Sequence, residues 1–549
     1  MGKTLRDLVT RPGDRDRYLQ AGLWDDTTLA GRVAAWAASR PDAIAVIDDR
    51  GSRRTYGELE RDGSVLAHHL MAHGVAPGDV VSVQLPNTYH AAVAAVAVQY
   101  AGAVINTLLP GYRARELHHV FEAAAPRAIL TPNEYRGFAY EPMIAALRAE
   151  TGLAVHHVVL GTPSGPDATS LEGVLEAGDT AGNLPERRAA EAVSELIFTS
   201  GTEATPKAIM HTEQTANFSV RNAWTDLRMS DSDVVWMPSP VGHSTGFNYG
   251  LRMALYHGLK LVLQDVWNAA TACDLVAREG CSYTLAATTF LKDLVEEAVR
   301  RGVRLDSLRL FGCGGAPVPR ELVEAADAQG IQVLRLYGST EVLVGSWHRP
   351  GTPIERRARS DGPPMTNVQI ELRDEGGAVV AAGEEGEIYT HGPNTCVGFF
   401  NDPERTERTF LDGWVRSGDV AVADETGDIT IVGRKKEIII RGGMNIAPRE
   451  IEDMLHQFPE VHRAAVVGLP DSRLGERAAA CLVLRDGATI SFGTMVARLR
   501  GAGVADYKLP ERLELLADLP MTTSGKVQKH EIIRALLEAD PTPRWDRGA

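Results

Sequence analysis

Four short segments of this 549-residue chain hold residue types able to handle a nucleotide. In the first, Phe198-Thr199-Ser200-Gly201-Thr202-Glu203-Ala204-Thr205-Pro206-Lys207-Ala208, hydroxyls, a glycine and a lysine follow an apolar run. The backbone N–H groups and hydroxyls of such a loop can turn inward around phosphates, and the lysine adds a point charge. It lacks the Gly-Lys-Ser/Thr ending of a Walker A loop, and a plain Ser/Thr/Pro turn is the alternative. The second is Leu336-Tyr337-Gly338-Ser339-Thr340-Glu341. Here a tyrosine ring can lie on adenine, while Thr340 and Glu341 can meet a phosphate oxygen and Mg²⁺; a strand-end turn with a solvated glutamate is the plainer reading. The third joins Arg416-Ser417-Gly418-Asp419 to Gly433-Arg434. A carboxylate at a strand end can accept both hydroxyls of a ribose and the arginine can brace the sugar, unless Asp419 serves only a hairpin. The fourth, Thr522-Thr523-Ser524-Gly525-Lys526, puts a lysine on a small loop that could carry it into a site and out again. An exposed surface lysine is its simpler explanation.

Elements of alternating type must position these segments. β-branched runs at 43–47, 80–85, 128–131 and 157–160 read as strands, and the stretches 56–73, 91–103 and 114–123 read as helices. Such alternation predicts an α/β fold with buried, mainly parallel strands. Residues 161–170, rich in Gly, Pro, Ser and Thr, read as a surface connection. Near residue 434 the character changes: 429–432 reads as a strand, 433–437 as a polar turn, 438–440 as a strand, and Gly442-Gly443 as a break. A helix opened by Pro448 follows, with Ile451, Leu455 and Phe458 on one face, then strands at 464–468 and 480–484. The chain thus divides into a large N-terminal domain of layered sheets and helices, residues 1–433, and a small mobile α+β domain, residues 434–549.

Bulk properties narrow the class. With 44% hydrophobic and 23% charged residues the composition is that of a globular enzyme. A net charge of −15 argues against nucleic acid as the partner. The five cysteines are scattered without a C-x-x-C pair, which argues against a disulfide framework or a cysteine zinc site and fits a reducing cytoplasm. The first residues are charged throughout, unlike a secretory signal. The most membrane-like stretch, 90–105, is interrupted by Gln99 and Tyr100 and falls short of the roughly 20 residues a span needs. A buried helix is expected there and no membrane partner.

The order and spacing of the four segments, with 312–317, 383–386 and 392–400 between them, resemble the motif series of the adenylate-forming superfamily. That superfamily contains acyl-CoA synthetases, peptide-synthetase adenylation domains and firefly luciferase. The resemblance spans residues 29–537. Within it, Pro238-Ser239-Pro240-Val241-Gly242-His243-Ser244-Thr245-Gly246-Phe247 is most similar to medium-chain and cyclohexanecarboxylate-type CoA ligases. Arg441-Gly442-Gly443-Met444-Asn445-Ile446 and Tyr507-Lys508-Leu509-Pro510 agree with that branch.

The resemblance implies a ligase that joins a carboxylic acid to ATP as an acyl-adenylate and passes the acyl group to the thiol of coenzyme A. By this resemblance Lys526 bridges the carboxylate and the α-phosphate, Thr340 touches the phosphate, and Glu341 holds Mg²⁺. Thr199, Ser200, Gly201, Thr202 and Lys207 cradle the departing pyrophosphate. Gly314, Gly315, Ala316, Tyr337, Gly338 and Ser339 line the nucleotide, with Tyr337 against adenine and Asp419 and Arg434 on the ribose. Lys436 is the implied hinge; rotation about it withdraws Lys526 and brings Gly442 and Gly443 to line a pantetheine tunnel, where a side chain would obstruct the thiol. His243 stands beside the acyl-adenylate, with a packed histidine near a turn as the alternative. The acyl pocket falls to Phe247, Thr288, Gly314, Val342 and Val344, which suggests a bulky apolar acid, alicyclic or polycyclic. Ligases of bacterial natural-product pathways, including those for diterpenoid acids of the platensimycin kind, belong to this branch, and a simple fatty or alicyclic acid stays equally open.

Three residues depart from the family pattern. Ala204 and Ala208 stand where the phosphate loop usually has glycine, and Glu203 brings a carboxylate towards the pyrophosphate. Alanine forced to positive φ would cost about 1–2 kcal/mol. Two alternatives therefore stay open: an enzyme that performs only the thiol step on an acyl-AMP made by an adenylating partner, and a free-standing adenylation protein that loads a carrier protein. A catalytically silent nucleotide-binding paralogue is a third reading, opposed by the joint presence of Lys526, Glu341, Asp419 and Arg434. The expected partners are a small carboxylic acid and coenzyme A, and a homodimer stays open.

Overall fold

The computed structural model describes residue 9 and residues 13–545, apart from 181, 186–187, 200–206, 316–317, 436, 442–443, 472–473, 503, 505–507, 523–525 and 542. Among the described residues, two large sheets dominate the N-terminal part. The first has eight strands, in spatial order Leu343–Trp347, Gln332–Ser339, Leu310–Gly314, Tyr283–Ala286, Val234–Met237, Lys260–Leu263, Ile44–Asp48 and Arg53–Thr55. Its outermost pair at each edge is antiparallel and the rest are parallel. The second has seven: Lys207–Thr212, Val193–Thr199, Val104–Thr107, Val80–Val83, Ala128–Pro132, His156–Leu160 and Ala168–Ser170, with only the first pair antiparallel.

Parallel strands must be covered on both faces. The helix Tyr89–Tyr100 supplies cover with ten buried residues, and a helix that is apolar all round belongs in a core. Its neighbour, Tyr56–Ala72, approaches so closely that a Cβ on Gly63 would stand 2.7 Å from Val96 Cγ1. The stretch 90–105 is therefore interior helix and strand, and no helix among the described residues is long and apolar enough to cross a membrane.

A third, antiparallel sheet contains Gln369–Arg373, Glu385–His391, Trp414–Ala423, Phe410–Leu411 and Ile429–Arg434. The small C-terminal domain has its own sheet, in which Gly475–Leu484 lies between Val461–Asp471 and Ile439–Arg441, with Met444–Ile446 at one edge and Arg512–Leu515 paired to Gly475–Leu484. The helix Pro448–Leu455 packs Ile451 and Leu455 into that domain's core, joined by Phe458.

Three expectations change. Gly433 and Arg434 are not turn residues: the strand continues through them, and Arg434 pairs with Asp419. Residues 161–170 include a short strand, Ala168–Ser170, whose backbone finds partners on His156–Leu160. Ala208 needs no positive φ, because it sits in a regular antiparallel strand opposite Phe198 with its methyl group buried. Alanine is an ordinary residue there.

One buried charge cluster stands out in the core. After the short helix Ser244–Gly246 the backbone widens into π-helical turns over Phe247–Arg252, which bring Arg252 inward with no exposure. Its guanidinium donates to Glu213 (3.0 Å), Asn217 (2.8 Å) and Asn248 (3.0 Å), and lies 3.5 Å from Glu195. Two carboxyls share one guanidinium, and burial lifts Glu195 to about 7 although Arg252 and Asn248 oppose the shift. An unfolded glutamate titrates near 4.5, so from there up to about 7 the unfolded chain loses a proton that the fold retains. Stability from this source is full below that window and is lost as pH rises through it. The variant Glu195→Gln, which cannot titrate, should therefore gain on the native protein as pH is raised from about 5 to about 8. Urea unfolding across that range checks it; a stability difference that does not vary with pH would refute it.

Candidate active site

The site opens at the carboxyl ends of Leu310–Gly314 and Gln332–Ser339, the edge of an open sheet where ligands characteristically bind. Gln332–Ser339 ends in a tight return to Leu343–Trp347, with Gly338 opposite Val344 and Ser339 opposite Leu343. Space dictates the glycine: a Cβ on Gly338 would lie 2.1 Å from the Leu343 carbonyl oxygen. The turn also forces Leu343 to a φ of +53°, a conformation that costs a branched residue about 1–2 kcal/mol. This tight return fixes Thr340 and Glu341 in place. His211, fully buried, is bonded at Nε2 to the Thr340 carbonyl (2.8 Å) and at Nδ1 to Thr215 Oγ1 (3.0 Å). Since a carbonyl only accepts, Nε2 carries the proton, and burial holds the ring neutral with its pKa down to about 4.

Next to this turn, Lys207 and Glu341 form an ion pair. Burial alone would raise the Glu341 carboxyl, but the Lys207 ammonium outweighs it and holds the group below its ordinary value. Thr199, the last residue of its strand, has a buried hydroxyl with no hydrogen-bond partner among the described residues. Such an orphan costs free energy until a ligand oxygen or donor meets it.

A second polar group stands on the third sheet. The Tyr337 hydroxyl donates to Asp419 Oδ2 (2.9 Å), and Arg434 Nε lies 3.2 Å from Asp419 Oδ1. Burial raises the Asp419 carboxyl above the usual range, partly offset by Arg434 and by the Tyr337 bond. The Tyr337 ring is itself packed against Leu372, Ile388 and Ala421, so the ring, the carboxylate and the guanidinium form one braced unit.

Lys526 comes to this site from the small domain. A Cβ on Gly315 would stand 3.2 Å from Lys526 Cε and 3.6 Å from Nζ. The loop carrying it is pinched shut by Thr522 N donating to the Lys526 carbonyl (2.7 Å) and Lys526 N donating to Thr522 Oγ1 (3.0 Å). Beyond the loop, Lys529 anchors the helix Lys529–Ala539 through Glu452 (2.8 Å) and Glu437 (3.4 Å). The Lys526 ammonium is partly stripped of water by the cleft walls and sits near the Arg434 charge, which together push its pKa below the ordinary lysine value. Asp419 and Glu341 act in the opposite sense. His243 feels the same ammonium: burial and Lys526 hold its ring neutral, down to about 4, while Nδ1 accepts the Thr245 N–H at 3.2 Å.

Family models now decide the assignment. A model of the AMP-binding enzymes matches residues 33–400, and a model of the AMP-binding enzyme C-terminal domain matches residues 450–526. The chain belongs to the AMP-binding enzyme family. It is an AMP-forming acid–thiol ligase of the acyl-CoA ligase type, which works through an acyl-adenylate. It is 35% identical to the medium-chain fatty-acid–CoA ligase of Escherichia coli over 94% of this chain and 91% of that one. It is 30% identical to the 3-[(3aS,4S,7aS)-7a-methyl-1,5-dioxo-octahydro-1H-inden-4-yl]propanoyl:CoA ligase of Rhodococcus jostii, covering 90% and 96% of the two chains. Among solved structures, ATP-bound MatB of Rhodopseudomonas palustris superposes with a TM-score of 0.82 at 27% identity, over 93% of this chain and 100% of that one.

Not every residue nominated from the sequence of this AMP-binding enzyme converges on one place. Phe247 and Val344 share a buried apolar cluster, and Thr288 lies against Cys313, whose Sγ is 3.6 Å from its hydroxyl. Val342 packs with Ile209, Cys396 and Phe399 in a separate apolar cluster. Gly314 cannot carry a side chain, as a Cβ would meet the Leu336 carbonyl at 2.4 Å. Ser200, Gly201, Thr202, Glu203, Ala204, Ala316, Lys436, Gly442 and Gly443 lie outside the described residues. Two supports were invisible in the sequence: His211 beneath Thr340, and Asn394, whose amide donates to the carbonyls of Val342 (2.6 Å) and Val344 (3.0 Å). The only hint of Asn394 was its place within the family-like segment 392–400.

Proposed function

We propose that this ligase converts a bulky apolar carboxylic acid, alicyclic or polycyclic, to its coenzyme A thioester, performing both half-reactions in the one cleft. The observation that carries the reading is the meeting of Lys526 with the Gly315 backbone, within electrostatic reach of Glu341, Asp419 and Arg434. In the first half-reaction a carboxylate oxygen bonds to the α-phosphorus of ATP and the bond to pyrophosphate breaks. Negative charge gathers on the α-phosphate, so catalysis is electrostatic positioning. Lys526 supplies the mobile cation, Thr340 a hydroxyl, and Lys207 with Thr199 and the adjoining loop receives the pyrophosphate. Tyr337 flanks the adenine, with Gly338, Ser339, Gly314 and Gly315 lining the nucleotide, while Asp419 and Arg434 take the ribose. In the second half-reaction the thiol sulfur bonds to the acyl carbon and AMP leaves. The domains proposed for this sequence meet at residue 434, with Lys436 as hinge, and rotation there exchanges Lys526 for Gly443.

The donor set suits Mg²⁺. Glu341 is held ionised, and one carboxylate plus nucleotide phosphates is a usual magnesium environment. Glu341 would hold the ion, which would neutralise phosphate charge. For the acid, Phe247 and Val344 offer apolar walls and Thr288 the rim, beside Gly314. The polycyclic acid named for the Rhodococcus relative is of the class proposed here. A panel of straight-chain, alicyclic and polycyclic acids tests this, assayed for thioester once with ATP and once as synthetic acyl-AMPs. Alicyclic or polycyclic acids should give the highest kcat/KM in both arms. Activity confined to the acyl-AMP arm would instead establish the thiol-only alternative, and preference for straight chains would overturn the substrate class.

A further inference from the structure

We infer that His69, His73 and His156 form a binding site for a divalent transition metal of the zinc class, built from none of the residues of the cleft. His69 lies in the last turn of the helix Tyr56–Ala72 and His73 caps its end, so the two rings, four residues apart, share one face. His156 opens the strand His156–Leu160 of the seven-stranded sheet, next to the edge strand Ala168–Ser170. One nitrogen from each ring falls within 4.8 Å of the other two.

The fine geometry points the same way. His73 Nδ1 is 2.8 Å from the His69 carbonyl, which only accepts, so Nδ1 carries the proton and Nε2 keeps a lone pair. Metal-bound histidines are commonly oriented by such a second bond. His69 Nε2 and His156 Nε2 face each other at 2.9 Å, which requires a proton on one of them in the absence of a metal. A metal would replace that proton and take both lone pairs. The His69 ring is 4.1 Å from that of His73, and the His73 and His156 rings stack with centroids 4.1 Å apart, so one of these two must rotate for both in-plane lone pairs to meet one ion. No carboxylate belongs to the group, so mutual ion pairing does not explain the gathering.

Three imidazoles with a fourth position open to solvent match the ligand count of open zinc sites, and imidazole suits Zn²⁺, Cu²⁺ and Ni²⁺ alike. The carbonyl end of a helix also favours a cation. Arg148, whose charge reaches His156, works against one, so the site is weaker than a closed four-ligand centre. A bound ion would staple the helix Tyr56–Ala72 to the sheet.

Isothermal titration of the chelator-stripped, full-length protein with Zn²⁺ alone tests the site. The native protein should bind one ion per chain, and Zn²⁺ should raise its melting temperature. His73→Ala, a change at an exposed ring, should weaken binding at least tenfold, since even indirect supports of a metal are worth about 10–100-fold. His68→Ala should bind as the native protein does, because that ring is engaged by the Ser64 and Gly182 carbonyls outside the cluster. If His73→Ala folds less stably, His73→Gln should show the same loss. Absence of stoichiometric binding, or binding by both His73 variants as tight as that of the native protein, would overturn the inference.

Discussion

Replacing Lys526 with alanine should reduce ATP-dependent adenylation by about 10²–10³-fold while leaving thioester formation from supplied acyl-AMP near its native rate, the magnitude being that of losing one pre-placed electrostatic contact. The asymmetry follows from where the lysine is held. Its ammonium lies beside Gly315 and near Glu341, where charge gathers as the α-phosphate is attacked. Yet its loop belongs to the small domain, pinched at Thr522 and tethered through Lys529, and under the proposed rotation departs with that domain before the thiol step. ATP–pyrophosphate exchange reads the first half-reaction, and release of AMP from synthetic acyl-AMP with coenzyme A reads the second. Similar losses in both assays would show that Lys526 does not divide its labour this way.

The second large effect concerns the fold. Arg252→Ala should destabilise the protein by about 3–5 kcal/mol, the usual consequence of removing one partner from a buried ion pair. Glu195 and Glu213 would be left facing each other without a cation in a region closed to water. Glu213 has other obligations: it accepts from the backbone N–H of Leu29 (2.7 Å), the Ser194 hydroxyl (2.9 Å) and the Gln99 amide (3.0 Å). Its displacement would loosen the helix Leu29–Ser39 as well. Adding Glu195→Gln to Arg252→Ala should recover part of the loss, because one of the two stranded carboxyls disappears. Urea unfolding of the single and double variants measures both quantities; a loss below about 1 kcal/mol for Arg252→Ala would sink the argument.

How much of this was legible beforehand depends on distance along the chain. The strands at 44–48, 80–83 and 128–132, and the helix from Tyr56, announced themselves by period, because a buried parallel strand and a helix face leave different local patterns. Register did not. Nothing local says that Gly433-Arg434 continues a strand so that Arg434 can lie opposite Asp419, since the pairing energy comes from the partner strand. The same holds for Ala208, an apparent loop alanine that the opposing Phe198 turns into a strand residue. In the site, Lys526, Asp419, Glu341 and Lys207 were nominated by the order and spacing of their segments, each of which alone had a plainer reading, and the structure brings their charges within reach of one another. His211 and Asn394 were not, because they act on backbone carbonyls more than 40 residues away in sequence, and a polar side chain does not advertise which carbonyl it will meet.

The widened turns at Phe247–Arg252 carry a consequence for how such an enzyme can change its diet. Phe247, proposed as a wall of the acid's chamber, and Arg252, keystone of the ionic core, ride on the same six residues, and Tyr249 between them receives the Val344 N–H at 2.9 Å. Reshaping the chamber at this wall therefore disturbs the core's wiring. Descendants that acquire new acids by altering Phe247 should carry paired changes at Asn217, Asn248 or Glu195, so that appetite and endurance drift together.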